Sequence, residues 1–320
     1  MNFIKQLFRI ERNPKRGLLA VEWIVMGYLV ITLLLLFFMY TKVQNPESML
    51  WGRVRIVFMT AALWAVYRMI PCRLTRFCRV GAQMALLSWW YPDTYEFNRM
   101  FPNLDHLFAG WEQSLFGCQP ALSFCRVFSH PVFSELMDLG YASYFPMIAA
   151  VTLFYFIWRY ERFGRATFVI MGSFFLYYLI YIALPVTGPQ YYYCAVGLDD
   201  IARGVFPNVH DWFAAHQEAL PSPGYADGVF YGMVADAHAA GERPTAAFPS
   251  SHVGVSTILM LLAWASRNRR LFYVLLPFYV LLCLSTVYIQ AHYAIDVLAG
   301  WVSAFIFYFA LYYIYDYVKE

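Results

Sequence analysis

Apolar residues run along this chain in long unbroken stretches, without the strict alternation of a half-buried strand. Seven stretches, at about 17–40, 53–70, 136–158, 167–187, 248–266, 271–290 and 292–315, approach the roughly 20 residues a helix needs to cross a bilayer. A helix is the form such a stretch takes there, because it satisfies its own backbone hydrogen bonds without water. A shorter apolar core, VGAQMALLSWWY within 80–97, runs into Asp93 and Glu96 and makes a weaker eighth. Between these stretches lie 98–135 and the long polar segment 188–247, which is rich in Asp, His, Pro and Gly. No internal repeat or low-complexity tract interrupts the pattern.

Composition agrees with that reading. Of 320 residues, 61% are hydrophobic and 13% charged, against about 45–50% and 25% in an ordinary soluble domain. A water-soluble fold is excluded, and a net charge of +3 gives no reason to expect nucleic acid as a partner. The first apolar run is longer than the roughly 7–15 residues of a cleaved signal peptide, so it reads as a retained span. Basic residues cluster at Lys5, Arg9, Arg12, Lys15 and Arg16, at Arg73, Arg76 and Arg79, at Arg159, Arg162 and Arg165, and at Arg267, Arg269 and Arg270. All four clusters fall on the cytoplasmic side, as such charges prefer, only if 80–135 crosses the membrane an odd number of times. The expectation is an integral, multi-pass protein with eight crossings, both termini cytoplasmic, and 98–135 and 188–247 outside. Arg53 and Arg55 then sit at the outer end of a span, against the trend. Residues 1–97 read as N-terminal membrane helices and 98–320 as a catalytic membrane core that includes the extracytoplasmic loop 188–247.

Ionisable groups inside spans are costly and mark function, and here they gather at one depth. AAFPSSHVG places Ser250, Ser251 and His252 at the start of one helix, where free N–H groups and the helix dipole attract an anion such as phosphate. STVYIQAHYAIDVLAG places Ser285, Thr286, Tyr288 and His292 at the outer end of the next span and Asp296 one turn into the last. His292 and Asp296 are four positions apart and share a helix face. The carboxylate can accept a hydrogen bond from one ring nitrogen and aim the other outward as a nucleophile. A short turn at 267–270 makes the two helices an antiparallel pair, so His252 and His292 meet. Taken singly, Ser250 and Ser251 are ordinary helix caps, and a lone His is a structural residue. Their joint placement favours chemistry. Cys118 and Cys125 would pair only in an oxidising compartment.

These motifs resemble the type 2 phosphatidic acid phosphatase superfamily. Its Pro-Ser-Gly-His block is matched by Pro249 to His252, with Ser251 in place of Gly. Its Ser-Arg, five residues, His, three residues, Asp block is matched by Ser285, Thr286, His292 and Asp296, with Thr286 in place of Arg. Upstream, LPVTGPQYYY has Pro189 followed by Gln190 where the family carries a basic residue. The missing phosphate-binding cations look like the inositol phosphorylceramide synthase branch, as do Phe248 to His252 and Tyr288, His292, Tyr293 and Asp296. LDHLFAGWEQSLFGCQP resembles the same branch through Asp105, Glu112, Gly117 and Pro120.

The resemblance implies an all-α membrane helix bundle, with a six-helix phosphatase-like core behind extra N-terminal helices. It implies a transferase of sphingolipid metabolism that passes phosphoinositol from a phospholipid donor to a ceramide-type hydroxyl of a lipid acceptor. His292, oriented by Asp296, would become a phosphohistidine while His252 acts as acid and then base. Ser250, Ser251, Ser285, Thr286, Gln190, Tyr288 and Arg243 are the candidates for holding phosphate, and no metal or other cofactor is implied. Arg243 would stand in for the missing cations. The alternative is a lipid or polyprenyl phosphate phosphatase of the same superfamily. Asp199, Asp200, His210, Asp211, His216, Asp236 and His238 of the long loop suit a polyhydroxylated headgroup or, equally, a solvated surface.

Overall fold

The computed structural model describes residues 3–241 and 243–319. The named elements among them are helices, and an isolated bridge pairs Ile10 with Cys72. The N-terminal part runs α1 (Phe3–Leu7), α2 (Ala20–Met39), α3 (Pro46–Met69), α4 (Arg73–Ala85) and α5 (Leu87–Asn98). Two short helices follow, α6 (Asp105–Phe116) and α7 (Pro120–Val127), then α8 (Pro131–Ala142), α9 (Tyr144–Trp158) and α10 (Tyr160–Ala183). The long polar segment carries α11 (Pro189–Val196), α12 (Leu198–Ala202) and α13 (Val229–Gly241). The chain closes with α14 (Ser251–Ala265), α15 (Arg269–Tyr288) and α16 (Ala294–Val318). It is an all-α polytopic bundle.

The crossings differ from the expected eight. Five helices, α2, α3, α10, α15 and α16, are long and apolar enough to span. The pair α8 and α9, bent by 45°, can make a sixth, and α14 is a shorter apolar helix of 15 residues. The stretch 80–97 is divided between α4 and α5, which meet at Leu86. At 13 and 12 residues and about 1.5 Å per residue, neither reaches across a hydrocarbon core of about 30 Å.

The polar residues of that stretch have a structural use. Asp93 pairs with Arg53 at 2.7 Å, both nearly inaccessible, and the guanidinium also lies over Trp89, Trp90 and Phe97. A second ion pair, Glu22 with Arg79, is wholly buried and ties α2 to α4. Arg53 and Arg79 therefore belong to the interior of the N-terminal helices, where their charges are matched. This accounts for a cation at Arg53 that the loop-charge pattern does not explain.

The site hangs on α10. It packs against α2, α5, α9, α14 and α16 and is apolar around most of its circumference, as a helix at the centre of a bundle is. Its tyrosines still need partners for their hydroxyls, and these lie in the neighbouring helices. Tyr178 donates to the Leu87 carbonyl at 3.2 Å. Tyr181 donates to the Pro249 carbonyl and accepts from the Ser251 N–H, both at 3.0 Å. α10 thus holds the start of α14 by its backbone.

Candidate active site

Three chain segments meet where α14 and α16 begin. Ser250 caps α14, its hydroxyl accepting the Val253 N–H at 3.3 Å, while its own N–H donates to the Asp296 carbonyl at 3.1 Å. Asp296 caps α16 in turn, its Oδ2 accepting the Tyr293 N–H at 2.8 Å. His292, just before that helix, donates its backbone N–H to the Thr286 carbonyl at 3.0 Å. From the third segment, Gln190 N–H donates to the Gln290 carbonyl at 2.9 Å and Ala247 N–H to the Val186 carbonyl at 3.0 Å. Gly188 makes the close approach workable. It adopts φ +92°, and a Cβ there would stand 2.7 Å from the Ala291 carbonyl oxygen, so only glycine fits without strain.

The two histidines come together. His292 Nε2 lies 3.4 Å from His252 Nδ1. His292 Nδ1 lies 2.8 Å from the Ala247 carbonyl oxygen and 3.6 Å from Asp296 Oδ2. A carbonyl only accepts, so the proton of neutral His292 sits on Nδ1 and Nε2 carries the lone pair. Asp296 thus stands off the ring, without the short hydrogen bond expected from the spacing. His252 is wedged between Tyr141, stacked at 4.6 Å, and Tyr144 at 4.4 Å. Those rings leave its Nδ1 edge toward His292.

Behind this pair is a carboxylate hub. Asp105 Oδ2 accepts from the Thr187 N–H at 2.7 Å, the Thr187 hydroxyl at 2.9 Å and Asn103 Nδ2 at 2.6 Å. Its Oδ1 accepts from the Gly188 N–H at 2.8 Å and the Tyr293 hydroxyl at 3.0 Å. Burial pushes its carboxyl above the usual range, and the Thr187, Asn103 and Gly188 donors pull the other way. The hub joins α6 to both the Gly188 turn and the residue after His292.

The remaining phosphate candidates divide. A small cavity beside the histidines is lined by Ser251, Gln190, Tyr91, Thr187, Tyr191 and Thr245, among others. Ser285 and Thr286 are fully buried and return their hydroxyls to the carbonyls of Leu282 and Cys283. Tyr288 is buried among Phe124 and Phe133, its hydroxyl on the Phe128 carbonyl at 3.0 Å. Arg243 is exposed, near Tyr95 rather than at the cavity. Of the N–H groups at Ser250, Ser251 and His252 expected to await an anion, those of Ser250 and Ser251 are engaged within the protein, as is that of Val253. Of the loop residues, His238 comes nearest, edge-on to Tyr141 at 5.8 Å. Asp200 pairs with Arg203, and His216 stacks on Trp212. Cys118 and Cys125 are free thiols.

Sequence reasoning missed Ala247, Tyr141 and Tyr144, and gave Asp105 no role. A backbone carbonyl leaves no mark in a sequence, and Tyr141 and Tyr144 are two aromatics among many. A family model described as PAP2 superfamily matches residues 106–310 of the chain, which include every group of the histidine pair. No curated protein and no solved structure matches.

Proposed function

Since the chain belongs to the PAP2 superfamily, we propose that it transfers a phosphorylated headgroup between lipids, taking phosphoinositol from phosphatidylinositol to a ceramide-type hydroxyl. The observation that carries this reading is the cavity lining. Ser251, Gln190, Tyr91, Thr187, Tyr191 and Thr245, all with neutral polar side chains, line the space beside His252 and His292, and no Lys or Arg is among the described residues lining it. Gln190 gives a side-chain N–H to the Leu220 carbonyl at 2.6 Å and the Thr187 hydroxyl donates to Asp105. A phosphomonoester brings about two negative charges near neutral pH and calls for cations. A phosphodiester brings one, and a polyol headgroup suits hydroxyl partners.

In the proposed reaction, His292 Nε2 attacks the phosphorus of phosphatidylinositol. The bond from phosphorus to the diacylglycerol oxygen breaks as the P–N bond forms, and His252 gives its proton to the departing oxygen. A ceramide hydroxyl then enters, His252 takes its proton, and the new P–O bond forms as P–N breaks. Asp296 stabilises the positive charge that develops on His292, and Ala247 keeps the reacting nitrogen the bare one. In this reading the site faces the extracytoplasmic side and lipids reach it from the bilayer.

The test is purified protein in detergent with phosphatidylinositol, with and without ceramide, followed by lipid mass spectrometry. Inositol phosphorylceramide formed only with the acceptor is the expected result. Phosphate release from phosphatidic acid or a polyprenyl diphosphate, with no such product, would give the site to a phosphatase.

A further inference from the structure

Glu112 is a carboxyl group that the proposed chemistry leaves unused. It lies on α6 and is completely buried. Its Oε2 accepts the Ile295 N–H at 3.3 Å, and its Oε1 has no hydrogen-bond partner. Asp296 has the same form: Oδ2 accepts the Tyr293 N–H at 2.8 Å, and Oδ1 has no partner. Both carboxyls are therefore fixed to the opening turn of α16, each with one oxygen unfilled.

Two ionised carboxylates buried on one turn repel each other, and a buried oxygen without a partner is costly. Among the described residues, Glu112 enters no ion pair, and the cation nearest Asp296 would be His292 itself. The titratable groups acting on Glu112 are Asp296 from the start of α16 and Tyr193 from α11, with the Ile295 and Ala294 N–H groups of the same turn beside them. Tyr293 and Asp105 face Asp296 and Tyr193 in turn. Tyr193 gives its hydroxyl proton to Gln119 at 2.9 Å, and Tyr293 gives its own to Asp105. Asp105 already accepts from Thr187, Gly188, Asn103 and Tyr293 and has no need of a proton. A proton held on Glu112 would remove one of the two charges gathered at this turn and give its unpartnered oxygen a donor's role.

We propose that Glu112 stays protonated at neutral pH and donates that proton toward Asp296, so that a single carboxylate charge faces His292. Glu112 is then a positioning residue acting through Asp296. This rests on the reading of His292 and Asp296 as the catalytic pair. Burial, and after it the Asp296 charge, pushes Glu112 up to about 8. Above that pH a second charge repels Asp296 and raises the proton affinity of His292, which removes the nucleophile.

The sign follows from linkage. A carboxyl raised from 4.5 to about 8 binds a proton in the folded state that the unfolded chain releases. Its contribution to stability is complete at acid pH, declines as pH rises across that window, and is gone above it.

Glu112→Gln keeps a neutral donor and the bond to Ile295 but cannot ionise. An alkaline limb of kcat/KM set by Glu112 is expected near its raised value of about 8 and should move up by more than about one unit in E112Q. The thermal midpoint, expected to fall with rising pH in the wild type, should fall less steeply. Glu112→Ala, which has no donor, should lower kcat about tenfold with little change in KM. Unchanged alkaline limb and unchanged thermal slope in E112Q would overturn the proposal. If E112Q does not fold, Asp296→Asn gives the second test: without the neighbouring charge, the thermal slope should level off at a lower pH, and an unmoved plateau overturns the idea. The thermal readout needs no substrate. A wild-type protein that converts no lipid, yet loses its thermal slope in E112Q, would keep the carboxyl pair and sink the transferase reading.

Discussion

His292 gives its Nδ1–H to the carbonyl oxygen of Ala247, 2.8 Å away, while Asp296 stands off at 3.6 Å. The orientation of the His292 ring, the nucleophile of the proposed reaction, is thus set by backbone from the segment before α14. Asp296 makes the capping bond to Tyr293 that shapes the turn, and in the proposed reaction its part is charge.

Asp296→Asn should therefore weaken the enzyme without silencing it. The tautomer survives, the charge is lost, and turnover should drop by about 100-fold. Comparison of lipid product formation by D296N and wild type checks this. A loss as deep as that of the nucleophile variant would mean that Asp296 does more than supply charge.

His292→Ala removes the reacting atom. Turnover should fall by at least about a thousandfold, with thermal stability close to wild type. Normal lipid conversion by H292A would end the catalytic assignment.

Gly188→Ala should reach the same histidine indirectly. The φ of +92° and the 2.7 Å approach to the Ala291 carbonyl make about 1–3 kcal/mol of strain, released by shifting the residue next to His292. Gly197 is the control, with φ +95° and nothing near its would-be Cβ. G188A should lose both stability and turnover, and G197A stability alone. Equal effects on turnover would separate the Gly188 contact from the site.

Arg53→Ala leaves Asp93 buried without its partner, a change of about 3–5 kcal/mol. The double variant Arg53→Met with Asp93→Leu should recover most of that loss, because the pair is inaccessible and an apolar pair can replace it. Denaturant unfolding in micelles would measure both. A double variant as unstable as R53A would show that the ion pair itself is needed.

Most helices were legible because spans must be long and apolar, yet α3 and α10 begin at Pro46 and Tyr160, ahead of the expected starts, and 136–158 divides into α8 and α9. The stretch 80–97 was harder. Its Asp93 reads as an interruption, and only its distant partner Arg53 explains why a charge is tolerated there. At the site, spacing brought His252, His292 and Asp296 together, since a helix pair and an i,i+4 step are local geometry. Ser285 and Thr286 sit at the spacing of the family motif yet return their hydroxyls to their own helix. Which way a side chain turns depends on neighbours from elsewhere in the chain. The same holds for Glu112 and Asp105, acidic residues on a short helix whose roles come from segments about 80 to 190 positions away.

The shortness of α14 has a consequence for how lipids are handled. Fifteen residues at about 1.5 Å each measure roughly 22 Å, well under the thickness of an ordinary bilayer interior. Arg267, Arg269 and Arg270 follow its far end, and such cations favour the headgroup layer. His252, at the other end, is left below the level of the opposite surface. In the proposed reaction a phospholipid would have to sink, or the leaflet to dimple, before its phosphorus met the histidines. Such an enzyme reads membrane thickness: thin, compliant bilayers should feed it better than thick, stiff ones.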